Sequence, residues 1–176
     1  LDVLALLDHL GVQETKAIGL SMGAKTLLHV GTIHPEAVHT MVLVSAAPYF
    51  PSQLRAAARQ FTPDAFQRLS ETELQALRLR HVRGDDQIAA LYEMTLGFAS
   101  SYDDLAFTPP QLARLAARTL IVYGDRDPFY PVELGVELYR SIPSAALWVV
   151  PNGGHGPVFG ENAAVFRETA LAFLAG

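Results

Sequence analysis

Gly19-Leu20-Ser21-Met22-Gly23 sets a hydroxyl between two glycines, directly after the apolar run Thr15 to Ile18 and directly before Ala24 to Val30, which reads as a helix. A strand that turns sharply into a helix holds its apex residue in a strained backbone conformation, and small residues two positions to either side let the neighbouring backbones close in. Gly19 and Gly23 are expected to supply that room. The Ser21 hydroxyl would then project from the end of a sheet, with the Met22 amide and the positive end of the helix facing the position of an oxyanion. Such a site can attack an acyl carbon. The same glycines also suit a turn with an idle serine, so the pattern gains its weight from partners farther along the chain.

A serine nucleophile needs a base to take its proton and a carboxylate to orient that base, and after such an elbow they come in the order Ser, Asp or Glu, His. Thr119 to Tyr123 is a continuous β-branched and apolar run, the pattern of a strand covered on both faces in a parallel sheet. It ends at Gly124, and the loop beyond carries Asp125 and Asp127. Loops at the carboxyl ends of such strands are where open α/β sheets place their functional groups. Asp125, beside the glycine, suits an Asx-turn. Asp127, farther out and just before Pro128, is the favoured orienting acid.

A second β-rich run, Ala145 to Val150, empties into Pro151-Asn152-Gly153-Gly154-His155-Gly156-Pro157. A histidine among glycines has no neighbouring apolar side chain to pin it, and His155 is read as the base. Its imidazole can accept the serine proton and return it to a leaving alcohol. His9, His29, His34, His39 and His81 fall on predicted helices, their ends or a strand start, where packing or solvation explains them.

With these three motifs in this order, the sequence resembles the α/β-hydrolase superfamily along nearly its whole length. In that family the matching positions are nucleophile, acid and base, roles that the resemblance carries to Ser21, Asp127 and His155 only. It implies an α/β fold with a mostly parallel sheet of about four strands flanked by helices. The strands are expected near 15–19, 40–45, 119–123 and 146–150.

The family opens with several strands before the elbow, and the loop after its third strand, often with a His-Gly motif, gives a second oxyanion amide. Here Leu1 to Leu10 already reads as the helix before the elbow strand, with Val3, Leu4, Leu7 and Leu10 on its apolar side and Gly11 as its stop. The expectation is therefore a C-terminal portion of a longer hydrolase. The first strand would show a bare edge, and bare apolar edges pair with other chains. A homo-oligomer through that edge is expected.

Between the second and third strands the pattern turns helical, giving a division into core (1–47), helical lid (48–117) and core (118–176). Thr62-Pro63 and Thr108-Pro109 read as N-cap and first-turn pairs, and Ser70-Glu71-Thr72-Glu73 as a capping box. Leu74, Leu77, Ile88, Leu91, Met94 and Phe98 recur at helical spacing. In the family such a lid roofs the nucleophile and shapes the pocket. Tyr49, Phe50, Phe98, Phe129 and Val158 are candidate substrate contacts, with core packing as the competing reading of each.

The chain has 176 residues, 50% of them hydrophobic, with no cysteine and a formal net charge of −5. Mean hydropathy is +0.21 and the sequence pI about 5.6. This is material for one globular core. It gives no electrostatic footprint for nucleic acid or an anionic membrane, and no run long enough to span a bilayer. The lack of cysteine fits a cytoplasmic setting. No ligand cluster, dinucleotide fingerprint or phosphate loop calls for a metal or cofactor. The expected activity is hydrolysis of a carboxylic ester or related acyl bond, on a small and hydrophobic substrate. Two rivals stand beside it: a binding module that keeps the pocket without turnover, and cofactor-free lyase, haloperoxidase or acyltransferase chemistry on the same triad.

Overall fold

A computed structural model describes residues 2–103 and 105–176. Along the chain run α1 (Asp2–His9), β1 (Thr15–Leu20), α2 (Met22–Ile33), β2 (Val38–Val44), α3 (Ser52–Ala58), α4 (Glu71–Arg80), α5 (Gly84–Gly97), α6 (Pro109–Leu112), β3 (Arg118–Gly124), α7 (Val132–Ser141), β4 (Ala145–Val150) and α8 (Ala163–Ala175). The strands form one four-stranded sheet in the order β1-β2-β3-β4, with every neighbouring pair parallel. This is the α/β architecture expected from the four apolar runs.

β2 and β3 are buried along almost their whole length, as strands covered on both faces must be. Alternate residues point to opposite faces. Val42, Val44, Leu120, Val122 and Val150 gather on one face with Val158 and Ala170, and Phe166, Phe173 and Leu174 of α8 pack against them. Burying each Val or Leu of that layer contributes about 1.5–3 kcal/mol. The other face meets α2 and α7. Gly31 of α2 lies where a Cβ would strike Leu115, and Gly135 of α7 where it would strike the Tyr123 ring.

Register aligns the strand ends that carry the site. Leu20 pairs with Val44, Val44 with Val122, and Gly124 with Val150. The ladder runs one step further, through Ser21 N–H to Val44 O at 2.9 Å, Ser45 N–H to Val122 O at 2.9 Å and Asp125 N–H to Val150 O at 3.3 Å. The loops that begin at residues 21, 125 and 151 therefore start level with one another along one end of the sheet.

The chain divides into two compact units, Leu1–Tyr49 with Leu105–Gly176, and Phe50–Asp104. In the first, Tyr49 and Ala106 form an isolated antiparallel bridge, and Phe107 N–H donates to the Pro48 carbonyl at 2.8 Å. The segment 105–117, expected in the lid, groups instead with the sheet, because Leu105, Phe107, Leu112 and Leu115 are buried there. The second unit is helical. Ser70 and Glu73 cap α4 reciprocally, and Ile88 is its most deeply buried periodic residue at 1% exposure. Thr62-Pro63 opens a turn into a short 3-10 segment, Ala65–Arg68, rather than an α-helix.

Gly11, at φ 67, stops the first helix as expected. α1 itself has no buried residue; Leu6 and Leu10, at 56% and 61% exposure, face outward. Among the described residues, no helix is long and apolar enough to cross a membrane.

Candidate active site

Ser21 stands between β1 and α2 at φ 52 and ψ −111, a left-handed conformation that costs a non-glycine residue on the order of 1–3 kcal/mol. A Cβ on Gly19 would come within 2.6 Å of the Ala24 nitrogen and the Gly23 backbone, so only glycine fits at 19. Gly23 differs from expectation: a Cβ there would meet nothing within 4 Å. Its backbone, not its missing side chain, is what Gly19 accommodates.

Met22 is the first residue of α2, so its N–H has no partner within the helix. Its side chain is 47% exposed.

His155 joins the other two members. Its Nε2 lies 2.9 Å from Ser21 Oγ, and its Nδ1 lies 2.9 Å from Asp127 Oδ2. The Asp127 side chain has no solvent exposure, while that of His155 retains 26%. Asp127 Oδ1 accepts the backbone N–H of Phe129 at 2.9 Å and of Tyr130 at 3.1 Å. Burial pushes this carboxyl up, but the His155 hydrogen bond and the two backbone N–H groups outweigh it, and Asp127 is held below the ordinary carboxylate range. The Asx-turn foreseen for Asp125 is made by Asp127. Asp125 is exposed.

The loops of Asp127 and His155 touch through backbone. Arg126 N–H donates to the Gly153 carbonyl at 2.8 Å, and a Cβ on Gly124 would overlap the backbone of Gly153 and Gly154. Phe129 sets its ring edge-on to His155 at 5.0 Å, and Tyr130 tilts against it at 5.3 Å.

Of the substrate candidates, Phe129 is thus placed beside His155. Val158, 6% exposed, belongs to the sheet core instead. Tyr49 donates its hydroxyl to Glu137 Oε2 at 3.1 Å, and burial together with that carboxylate pushes its phenol up. Phe50 and Phe98 pack ring against ring within the helical unit, tilted by 34° with 4.7 Å between centroids.

Two residues with no sequence signal join the site. Tyr130, 1% exposed, reaches both Asp127 and His155. Lys25, 4% exposed, donates from Nζ to Tyr130 Oη. Burial lowers the Lys25 amine to about 8, with the Asp127 charge opposing part of that shift. Burial and the same carboxylate push the Tyr130 phenol up.

The arrangement can move a proton from Ser21 Oγ to His155 while Asp127 balances the imidazolium, the chemistry of nucleophilic attack on a carbonyl carbon. Among the described residues no group of three or more His, Cys, Asp or Glu could hold a metal ion.

A family model described as the alpha/beta hydrolase fold matches residues 2–161. The chain belongs to the alpha/beta hydrolase family. Within it, the chain is 28% identical over 195 residues to a 2-hydroxy-6-oxononadienedioate/2-hydroxy-6-oxononatrienedioate hydrolase of Pseudomonas putida, covering 96% of this chain and 65% of that protein. It is 29% identical over 189 residues to a 2-hydroxymuconate semialdehyde hydrolase of the same species, covering 98% and 66%. It therefore spans just under two thirds of the length of these relatives. Among solved alpha/beta hydrolases, MGS-M2 from a Medee basin deep-sea metagenome library superposes with a TM-score of 0.72 at 18% identity, covering 99% of this chain and 70% of that one. At that identity the likeness speaks for the fold.

Proposed function

We propose that this chain carries the chemical machinery of a Ser-His-Asp hydrolase that cleaves a small carbonyl compound at an acyl bond. The observation that carries the reading is the unbroken line from Ser21 Oγ through His155 to Asp127, with 2.9 Å at each step. Ser21 attacks the carbonyl carbon as His155 takes its proton, and the oxyanion is met by the Met22 amide. For a carboxylic ester, the C–O bond then breaks and His155 returns the proton to the departing alcohol. Water, deprotonated by His155, adds to the acyl-enzyme and releases the acid and Ser21.

The names of the relatives favour a second reading of the bond that is cut. A 2-hydroxy-6-oxo dienedioate has no ester linkage. Hydrolysis of such a compound breaks the carbon–carbon bond beside the 6-oxo carbon: a proton first passes from the 2-hydroxyl to C5, giving the 2,6-dioxo form, and the pair released on cleavage then delocalises onto the 2-oxygen, which takes up a proton. The same serine, base and oxyanion donor serve both bonds. The difference lies in what accepts the departing electrons.

A fluorophosphonate probe tests the nucleophile. Labelling is expected on wild-type chain and absent from Ser21→Ala; equal labelling of both would overturn the assignment. Rates on a p-nitrophenyl ester and on a 2-hydroxy-6-oxo dienoate, followed by its absorbance, distinguish the two bonds. Turnover of neither by a chain that labels would favour a binding module.

A further inference from the structure

We propose that Lys25 is a positioning residue of the site, joining the nucleophile's helix to the acid loop through Tyr130 and so holding Asp127 and His155 in line with Ser21. The inference rests on the reading of Ser21, His155 and Asp127 as a working triad. Lys25 is one helical turn beyond the serine, and its backbone N–H donates to the Ser21 carbonyl at 3.1 Å. Its side chain then crosses to the other loop. Nζ donates to Tyr130 Oη, lies 4.7 Å from the centroid of the Tyr130 ring, and contacts Met22 Sδ at 3.5 Å.

Tyr130 passes the constraint on at two points. Its backbone N–H holds Asp127 Oδ1 at 3.1 Å, and its ring packs 5.3 Å from the imidazole of His155. Lys25 thus touches the backbone of Ser21 with its own backbone and reaches Asp127 and His155 through one intervening residue.

Energetics argue against a packing role alone. A buried ammonium carries a desolvation cost that a methionine of similar length would avoid. A hydrogen bond from a charged donor to a phenol is directional and strong, so the amine fixes where Tyr130 sits in a way that an apolar side chain does not. Catalytic groups misplaced by about 1 Å lose on the order of a hundredfold in rate.

The test uses the full chain and four variants: Lys25→Met, Lys25→Arg, Tyr130→Phe and the double variant Lys25→Met/Tyr130→Phe. Two quantities are read well below each melting temperature. One is the fluorophosphonate labelling rate of Ser21; the other is the downfield proton resonance of the His155 Nδ1–H bonded to Asp127. Lys25→Met is expected to slow labelling by on the order of tenfold to a hundredfold and to shift or broaden the resonance. Lys25→Arg should recover part of both. Tyr130→Phe should resemble Lys25→Met, and the double variant should be no worse than Lys25→Met, because the Nζ–Oη hydrogen bond is already lost there. Should Lys25→Met fail to fold, Lys25→Arg and Tyr130→Phe carry the comparison. Wild-type labelling and resonance in Tyr130→Phe, or a lowered melting temperature with both quantities unchanged, would overturn the inference. A wild type that does not label, but whose resonance still moves in the variants, would sink the triad reading and leave the positioning role standing.

Discussion

Gly124 and Gly153 pack backbone against backbone: a Cβ on Gly153 would come within 3.0 Å of the Gly124 Cα, and one on Gly124 would overlap the Gly153 carbonyl. The loops that carry Asp127 and His155 are thereby held at a separation that admits no side chain between them. Their 2.9 Å contact follows from main-chain packing as much as from the attraction of the two groups.

Gly124→Ala should therefore injure both stability and chemistry. The expected loss is about 1–3 kcal/mol in urea unfolding, the usual cost of overpacking, together with a fall in Ser21 labelling. Gly23→Ala is the control from the elbow. With open space at that Cβ, it should leave both measurements close to wild type, whereas Gly19→Ala should not.

Asp127→Asn keeps the size of the side chain but loses its charge. Labelling should drop by roughly three to four orders of magnitude, as when the equivalent acid of a serine protease is neutralised. A pH effect accompanies it. Because the folded carboxyl is held below its ordinary value of 3.8, its contribution to stability is present above that value and is lost as the pH falls through the folded one. Urea midpoints measured from pH 5 downward should show this acid loss in wild type and less of it in Asp127→Asn.

Lys25 gives the opposite limb. Its amine is lowered from 10.5 to about 8 in the folded chain, so between those values the unfolded chain binds more protons and stability rises with pH. The full rise is on the order of 3 kcal/mol. Lys25→Met should remove it, and equal slopes for the two proteins would show that the burial penalty lies elsewhere.

The open side of β1 leads to a further expectation. β1 is an edge of the sheet, and it exposes Ile18 at 49%. Sedimentation should detect concentration-dependent self-association, reduced in Ile18→Lys, because a charge on an edge strand discourages pairing. A concentration-independent monomer would count against it.

The sequence displayed most of this where local chemistry and tertiary structure agree. Thr119 to Tyr123 could hardly be other than a buried strand. Ser21, Asp127 and His155 stood out because each follows such a run and glycines lie in or beside its turn. What escaped notice depends on distant partners. Lys25 reads as an ordinary solvated helix residue until Tyr130, 105 positions later, is placed against it. Leu112 and Leu115 have the spacing of any amphipathic helix, and nothing local says that they pack with the sheet unit and not with the helical one. Val158 follows the base loop closely enough to suggest a pocket, yet its partners are the valines of β2, β3 and β4. Gly23 belongs to the motif by position, although no atom crowds it.

Tyr49 and Ala106 meet where the chain leaves the sheet unit and where it comes back. Everything from Phe50 to Asp104 is thus a cassette spliced in at one doorway. The closure entropy of such an excursion grows only logarithmically with its length, so the cassette can be lengthened, trimmed or exchanged with little penalty to the strands of the sheet. Ser21, Asp127 and His155 all lie outside it. A change of length within the cassette therefore leaves the register of the four strands, and the ends that carry these three residues, where they are.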